Sequence, residues 1–508
     1  MSSAVLPCMV SLLAWQVSVC QGKRVAVLPL PFASHNIYHT NVARALVERG
    51  HEVWLIIVIE VAARGVLNTT GCNIIQYSTI PDIEETFMSA TRDAYFEKRS
   101  VNFQQLFGLF KAHNDKLLTD TTLLTKLRAL DLDLFIIDNL MLIKILSIIP
   151  YRLNVPFAFL GTGYDPFSKR IPFSPAVTPM SLFPFTDRPL FLERVRLTVY
   201  RVMSFFYDPC GVSDAVSRYA PEMPDISLDL LVARAEIWLV ETDHVLDYPK
   251  PSIPNVKLIG GAATGPANPL PDRFKSFMDG ATEGVVVVSF GSYVLNLPAE
   301  ISDKIFTALQ KLPFKSVFRS KLESPDPAKI MTSSWLPQND LIGHKNTRVF
   351  VTHCGKNGQY EALFHAVPVV CMPIFMDQPY NAERMRGKGM AERLDLITVS
   401  EDELRATIVK VGTEKRYKQT IARASELFHI EMGVPKDRAA FWLDHVMKYG
   451  GSHMRSAGQD MPYYQFIGLD VFALLLSVVV VFLVVIAVCM FCICRCLCRR
   501  YTRKQKAE

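Results

Sequence analysis

The 508-residue sequence predicts an α/β protein: two doubly wound domains facing a cleft, followed by one C-terminal transmembrane helix. Three observations carry that prediction. Strand–helix–strand patterns appear in both halves of the chain. A proline-rich stretch, Tyr248 to Pro271, separates the halves. An apolar run of 24 residues, Val471 to Cys494, is long enough to cross roughly 30 Å of hydrocarbon as a helix. The length also exceeds what one hydrophobic core usually serves.

Residues 1–22 read as a secretory signal, with an uncharged apolar run from Val5 to Val17 and small residues from Ser18 to Cys20. Val25 to Leu30 is then a buried strand, followed by a loop carrying His35 and a helix to Arg49. Gly50 stops that helix before a strand from Val53 to Ile59. Asn68-Thr69-Thr70 is a glycosylation sequon. Leu134 to Ile137 is a further strand, leading into Asp138. The six prolines at 249, 251, 254, 266, 269 and 271 break helices and ladders alike, which places a linker there. The predicted domains are therefore 23–260 and 261–450. In the second, Val285–Ser289 is a strand, Ala299 to Leu312 a helix, and Ser400 with Glu403 a capping box. Residues 451–470 form a juxtamembrane segment, 471–494 the membrane helix and 495–508 a tail.

Charge and cysteine placement narrow the class. Five of the six net positive charges lie in residues 495–508, so the body is nearly neutral and presents no basic face to nucleic acid. Asp470 precedes the apolar run and Arg495, Arg499 and Arg500 follow it, which puts the tail in the cytosol and the body in the lumen. Five of the eleven cysteines crowd the end of the membrane helix, where acylation or packing is the reading rather than zinc. Cys8 and Cys20 fall in the signal. Cys72, Cys210, Cys354 and Cys371 are too few for a disulfide framework, and their pairing is open; Cys354 reads as a small buried residue.

The densest chemistry lies between Trp335 and Gln378. There a strand (Val349 to Thr352) runs into a glycine-containing turn (His353 to Gly358), a helix and a second strand (Val367 to Met372). Backbone N–H groups at a helix N-terminus beside a strand end favour a diphosphate. Trp335 with Gln338 upstream, and Asp377-Gln378 downstream, give base and sugar their own partners. The pattern is that of a nucleotide-sugar site.

This stretch resembles the signature of the UDP-glycosyltransferases, which include the membrane-bound glucuronosyltransferases. The motifs WLPQNDLIGH, THCG, NG-x-YEA and DQP fit, as do PLPFASHNIYH, LDYPKPSIPNVKLIGG, VVVVSFGS and QDMPYYQFIGLDV elsewhere. The resemblance implies two Rossmann-like domains of GT-B type, with an N-terminal acceptor domain and a C-terminal UDP-sugar domain. It implies that Trp335 stacks on uracil, Gln338 contacts the nucleoside and Glu361 holds the ribose. His353, Gly355, Asn357 and Gly358 would face the diphosphate, with Ser289, Ser292 and Arg319 nearby, and Asp377 and Gln378 would hold the sugar. The tail lysines Lys504 and Lys506 resemble a dilysine retrieval signal, which implies the endoplasmic reticulum.

Direct displacement at a sugar carbon requires a base for the acceptor hydroxyl. His35 and Asp138 match the family's base and partner acid, at the ends of two predicted strands. No cofactor or metal is expected. His35 and His39 lack a third ligand, and Asp131-Leu132-Asp133 reads as a strand entrance. The expected partners are a UDP-sugar, a small lipophilic acceptor, membrane lipid, and homo- or hetero-oligomers with related enzymes. Glucuronate is the expected sugar, with Lys250 or Arg319 as candidate cations for its carboxylate. Cys354 stands where many glucuronosyltransferases carry Gly or Ala, which keeps UDP-glucose as the alternative. A catalytically idle modulator is the other alternative. A dinucleotide oxidoreductase is excluded, because the first loop reads Pro31 to Asn36 without a G-x-G-x-x-G turn.

Overall fold

The computed structural model describes residues 22–79, 82–174, 176–180, 183–206, 214–291, 294–295 and 297–505, with 204–206 and 501–505 described by backbone alone. The signal segment, Cys210, Ser292 and Lys506 lie outside these residues.

Two parallel sheets form the body. The first holds β1 (Arg24–Leu28), β2 (Glu52–Val58), β3 (Asn73–Tyr77), β4 (Leu134–Asp138), β5 (Phe157–Gly161), β6 (Ile237–Val240) and β7 (Val256–Leu258), in the order 3-2-1-4-5-6-7. The second holds β8 (Val285–Ser289), β9 (Lys315–Arg319), β10 (Ile330–Ser333), β11 (Thr347–Thr352), β12 (Val369–Cys371) and β13 (Ala391–Arg393), in the order 10-9-8-11-12-13. Runs such as Val285–Val288 are buried on both faces, which is why they read as continuous apolar strings. Strand order reverses between β1 and β4, and again between β8 and β11. At such a switch point the flanking connections diverge, opening a crevice at the strand C-termini. The observed fold is thus the one the sequence predicts: two Rossmann-like α/β sheets and one long apolar C-terminal helix.

Four boundaries differ from the sequence expectation, each for a physical reason. β1 stops at Leu28 because Pro29 and Pro31 supply no ladder donors. His35, expected in a loop, lies in the first turn of the helix Ala33–Glu48. The proline-rich stretch contains β7, an edge strand that pairs with β6 beyond the last proline of its first cluster. The helix Pro435–Tyr449, expected in the second domain, packs instead on the first sheet's side. There Ala439, Ala440, Leu443 and Val446 join Val42, Leu46 and Val53 in one core, and Arg49 pairs with Asp444 at 2.7 Å. An apolar stripe at helical spacing reveals that a face is buried, but not which sheet buries it.

The segment after that helix stays with the first sheet. Gly451 N–H donates to Glu236 at 2.5 Å, Gln459 donates to the Lys169 carbonyl at 3.3 Å, and Arg170 donates to the Met461 carbonyl at 3.2 Å. It leads into the helix Leu469–Gln505, whose stretch Leu469–Arg500 is long and apolar enough to cross a membrane. The capping box expected at residue 400 is half formed: Ser400 caps its helix by accepting the Glu403 N–H at 3.1 Å.

Candidate functional site

The first sheet's side of the cleft is built on β1, β4 and β5. Nothing local caps the N-terminus of the helix Ala33–Glu48. Its first amide, on Ala33, donates instead to the buried carboxylate of Glu84, and Asn36 donates to the Leu30 and Phe32 carbonyls at 2.8 Å each. That fixes the turn bearing His35. Its Nδ1 lies 2.7 Å from Asp138 Oδ2, and the Tyr38 hydroxyl donates to the same oxygen at 2.6 Å. Leu140 N–H donates to the other oxygen at 2.9 Å. Gly161, at the end of β5, leaves room for this cluster: a Cβ there would stand 3.1 Å from the Tyr38 hydroxyl and 3.2 Å from Asp138.

The electrostatics follow from this packing. Burial by itself would lower the His35 imidazole, but the Asp138 carboxylate, with smaller pulls from Glu241 and Asp377, outweighs it and holds the ring above its ordinary value. Burial opposes ionisation of Asp138, and His35 with Tyr38 reverses that, keeping the carboxylate ionised. With Nδ1 facing Asp138, Nε2 is the atom left to take a proton. His39, four residues on, is pushed down to about 4 by burial, so its ring is neutral near pH 7.

The second sheet's side is built on β8, β9, β11 and the helix Lys356–Phe364. Trp335 is 43 % exposed, with the Arg319 guanidinium 4.9 Å from its ring centre. Arg319 itself donates to the Gly291 carbonyl at 2.5 Å and the Ser334 carbonyl at 3.1 Å. Gln338 donates to Glu361, just over one turn into the helix Lys356–Phe364, and burial pushes Glu361 up to about 7. The His353 ring lies between Gly291 and Gly355, where any Cβ would fall within 2.7 Å of it. Burial, partly offset by the Ser289 backbone, takes that imidazole down to about 4. Gln378 accepts from the Ile374 and Phe375 amides at 2.8 and 3.1 Å through its carbonyl oxygen. Asp377 accepts from Asn381 at 2.7 Å with one oxygen. Gly358 packs against Phe350, and Ser289 is fully buried at the end of β8.

The two sides meet. Asn357 donates across the cleft to the Ser34 carbonyl at 3.2 Å, beside His35, and Lys356 reaches the Thr162 carbonyl at 3.4 Å. The structure therefore brings the turn that carries Lys356 and Asn357 against Ser34 and Thr162, beside His35. Asn68 is exposed, on a loop before β3.

One expectation is corrected. Cys354 is buried but is not a lone small residue: it forms a disulfide with Cys371, 17 residues on. The bond ties the turn after β11 to the end of β12. Cys354 has φ 60°, a left-handed conformation that costs a side chain roughly 1 kcal/mol or more, and the disulfide helps fix it.

The match of this chain to known sequences agrees with the geometry. Residues 23–506 match the family model described as UDP-glucoronosyl and UDP-glucosyl transferase. The chain belongs to the UDP-glycosyltransferase family. It is 31 % identical to UDP-glucuronosyltransferase 2B17 of Homo sapiens over 499 residues, covering 92 % of this chain and 93 % of that protein. It is 32 % identical to UDP-glucuronosyltransferase 2B1 of Rattus norvegicus over 498 residues, covering 93 % of each. The fold is similar to glycosyltransferase VinC, solved in complex with DTDP, at a TM-score of 0.58 and 18 % identity, over 84 % of this chain and all of that one. The protein is a UDP-sugar glycosyltransferase of GT-B architecture.

Three residues of this UDP-glycosyltransferase lie in these contacts without standing out in the sequence. Tyr38 stands three residues after His35, a spacing that shares a face once the helix is known to begin at Ala33. Lys356 is a cation inside the glycine-containing turn His353 to Gly358. Glu84 gave no signal, because its contact spans 51 residues of chain.

Proposed function

We propose that this enzyme transfers glucuronate from UDP-glucuronate to a hydroxyl of a small lipophilic acceptor, in one displacement with inversion at the anomeric carbon. His35 Nε2 takes the acceptor proton as the acceptor oxygen bonds to that carbon and UDP leaves from the opposite face. Asp138 orients the imidazole and stabilises its cation. A positioned base of this kind is worth about 10²–10⁴-fold. Trp335, Gln338 and Glu361 hold the nucleoside. The Gly355–Gly358 turn, His353 and Arg319 receive the diphosphate without a metal, and Asp377 with Gln378 holds the sugar. The 2.7 Å pairing of His35 with Asp138, opposite the donor helix, is the observation that carries this reading.

The anchor helix and the exposed apolar face of the helix Phe191–Phe206, including Leu192, Val195, Val199 and Val202, support a membrane-adjacent body that takes lipophilic acceptors. Its place is the endoplasmic-reticulum membrane, with both domains lumenal and Asn68 glycosylated.

The test is sugar transfer to a simple phenol by microsomes expressing the full chain, with UDP-glucuronate and UDP-glucose in parallel and EDTA present. Product from UDP-glucuronate, abolished in His35→Ala with UDP still bound, is expected. Near-normal turnover in His35→Ala would overturn the assignment of the base. Product from UDP-glucose alone would replace the sugar. UDP binding without transfer from either donor would favour an idle modulator.

A further inference from the structure

We infer that Lys356 forms the subsite for a negative charge on the donor sugar, the carboxylate of a uronate. The inference rests on the transferase reading above and goes beyond it by naming the group that selects the sugar class.

The transferred sugar must lie between the diphosphate turn, Asp377 with Gln378, and His35. Lys356 opens the helix of that turn, and its side chain extends across the cleft to the Thr162 carbonyl, just beyond β5. The next residue, Asn357, touches Ser34 beside the base. Side chains of two successive donor-wall residues thus flank the space a sugar would fill. Within it, the Lys356 ammonium has one neutral partner at 3.4 Å, and no carboxylate among the described residues forms an ion pair with it. Burial pushes this ammonium down to about 8, against the opposing pull of Glu241, Asp247 and Asp377. A half-buried cation with so little pairing is suited to an anion arriving with the ligand.

The other cations near the cleft are paired with a carboxylate or stand at the nucleotide end. Lys250 pairs with Asp247 at 2.8 Å, and Arg384 bonds Asp247 at 3.1 Å and Gln359 at 2.6 Å. Arg319 is held by two carbonyls under Trp335. Of the two cations that the sequence suggested for the carboxylate, Lys250 is therefore paired, and Arg319 lies at the nucleotide end beside Trp335, where the transferase reading gives it the diphosphate.

Glu241 supplies the competing explanation. It is fully buried, one oxygen accepts from Ala262 N–H at 2.7 Å, and the other has no hydrogen-bond partner among the described residues. If Lys356 served only to latch the two domains through Glu241, every donor would depend on it equally.

Binding separates the two without any need for the acceptor. Affinities for UDP, UDP-glucuronate and UDP-glucose would be measured on the full chain in detergent, at one ionic strength, by competition against labelled UDP. In Lys356→Gln the preference for UDP-glucuronate over UDP-glucose should fall roughly tenfold to a hundredfold, the worth of one hydrogen bond between charged groups. Lys356→Arg should keep the preference, and retained UDP binding reports that each variant is folded. An unchanged preference in Lys356→Gln, whether both donors hold or weaken together, would overturn the inference. Charge discrimination in binding with no transfer to any phenol would overturn the transferase reading and leave this one standing.

Discussion

The two walls of the cleft differ in how complete they are. On the acceptor wall, both oxygens of Asp138 have partners, from His35, Tyr38 and Leu140, and the His35 ring is held in one orientation. On the donor wall, Trp335 is exposed and Lys356 has a single long contact. The proposed base is preorganised before any substrate arrives, as electrostatic catalysis requires. The donor wall offers groups that only a ligand completes. Damage to the first should therefore appear in turnover, and damage to the second in affinity.

The largest effect is expected from Asp138→Asn. It should lower kcat by roughly 10²–10⁴-fold while leaving UDP affinity within about twofold. The pH profile gives a second readout. The base must be neutral, so the rate rises with pH through the His35 pKa. Asp138 is the main group that holds that pKa above its ordinary value, and without its carboxylate burial is opposed only by Glu241 and Asp377, so the pKa falls. The acid limb of kcat/KM should then move to lower pH in the variant. A fall in UDP affinity matching the fall in kcat would show that the walls are not separable.

Trp335→Ala should give the complementary result. Loss of a base-stacking face costs on the order of 1–3 kcal/mol, so UDP affinity should weaken by roughly tenfold to a hundredfold. The rate at saturating donor should change far less. A large loss of kcat with unchanged affinity would reverse the assignment of this wall to binding.

The comparison also explains what the sequence could reveal. Both sheets were legible because parallel strands buried on two faces read as apolar strings, and Val285–Ser289 was placed residue for residue. His35 and Asp138 were legible as residues at strand ends, although their 2.7 Å contact spans 103 residues of chain. What stayed hidden was set by distant partners. The cap on Ala33 comes from Glu84, the packing partner of the helix Pro435–Tyr449 comes from the first sheet, and the Cys354 bond comes from Cys371. Periodicity fixes which face of an element is buried, and spacing fixes which residues share a turn. Neither identifies a partner elsewhere in the chain.

A smaller effect would sharpen the donor wall further. Burial pushes Glu361 up to about 7, partly offset by the hydrogen bond from Gln338. Ionised, its two oxygens can accept both ribose hydroxyls; protonated, one oxygen becomes a donor and that pairing is lost. Donor affinity should therefore fall as pH drops from 8 to 6, by at most about tenfold for a single group titrating there. Glu361→Gln cannot titrate and should flatten this component. Lys356 and Glu241 titrate in the same range and remain in both proteins, so the readout is the difference between the two pH profiles. His353, pushed down to about 4, stays neutral throughout and contributes nothing to it. Identical profiles for wild type and Glu361→Gln would remove Glu361 from the ribose site and leave Trp335 as the main nucleoside anchor.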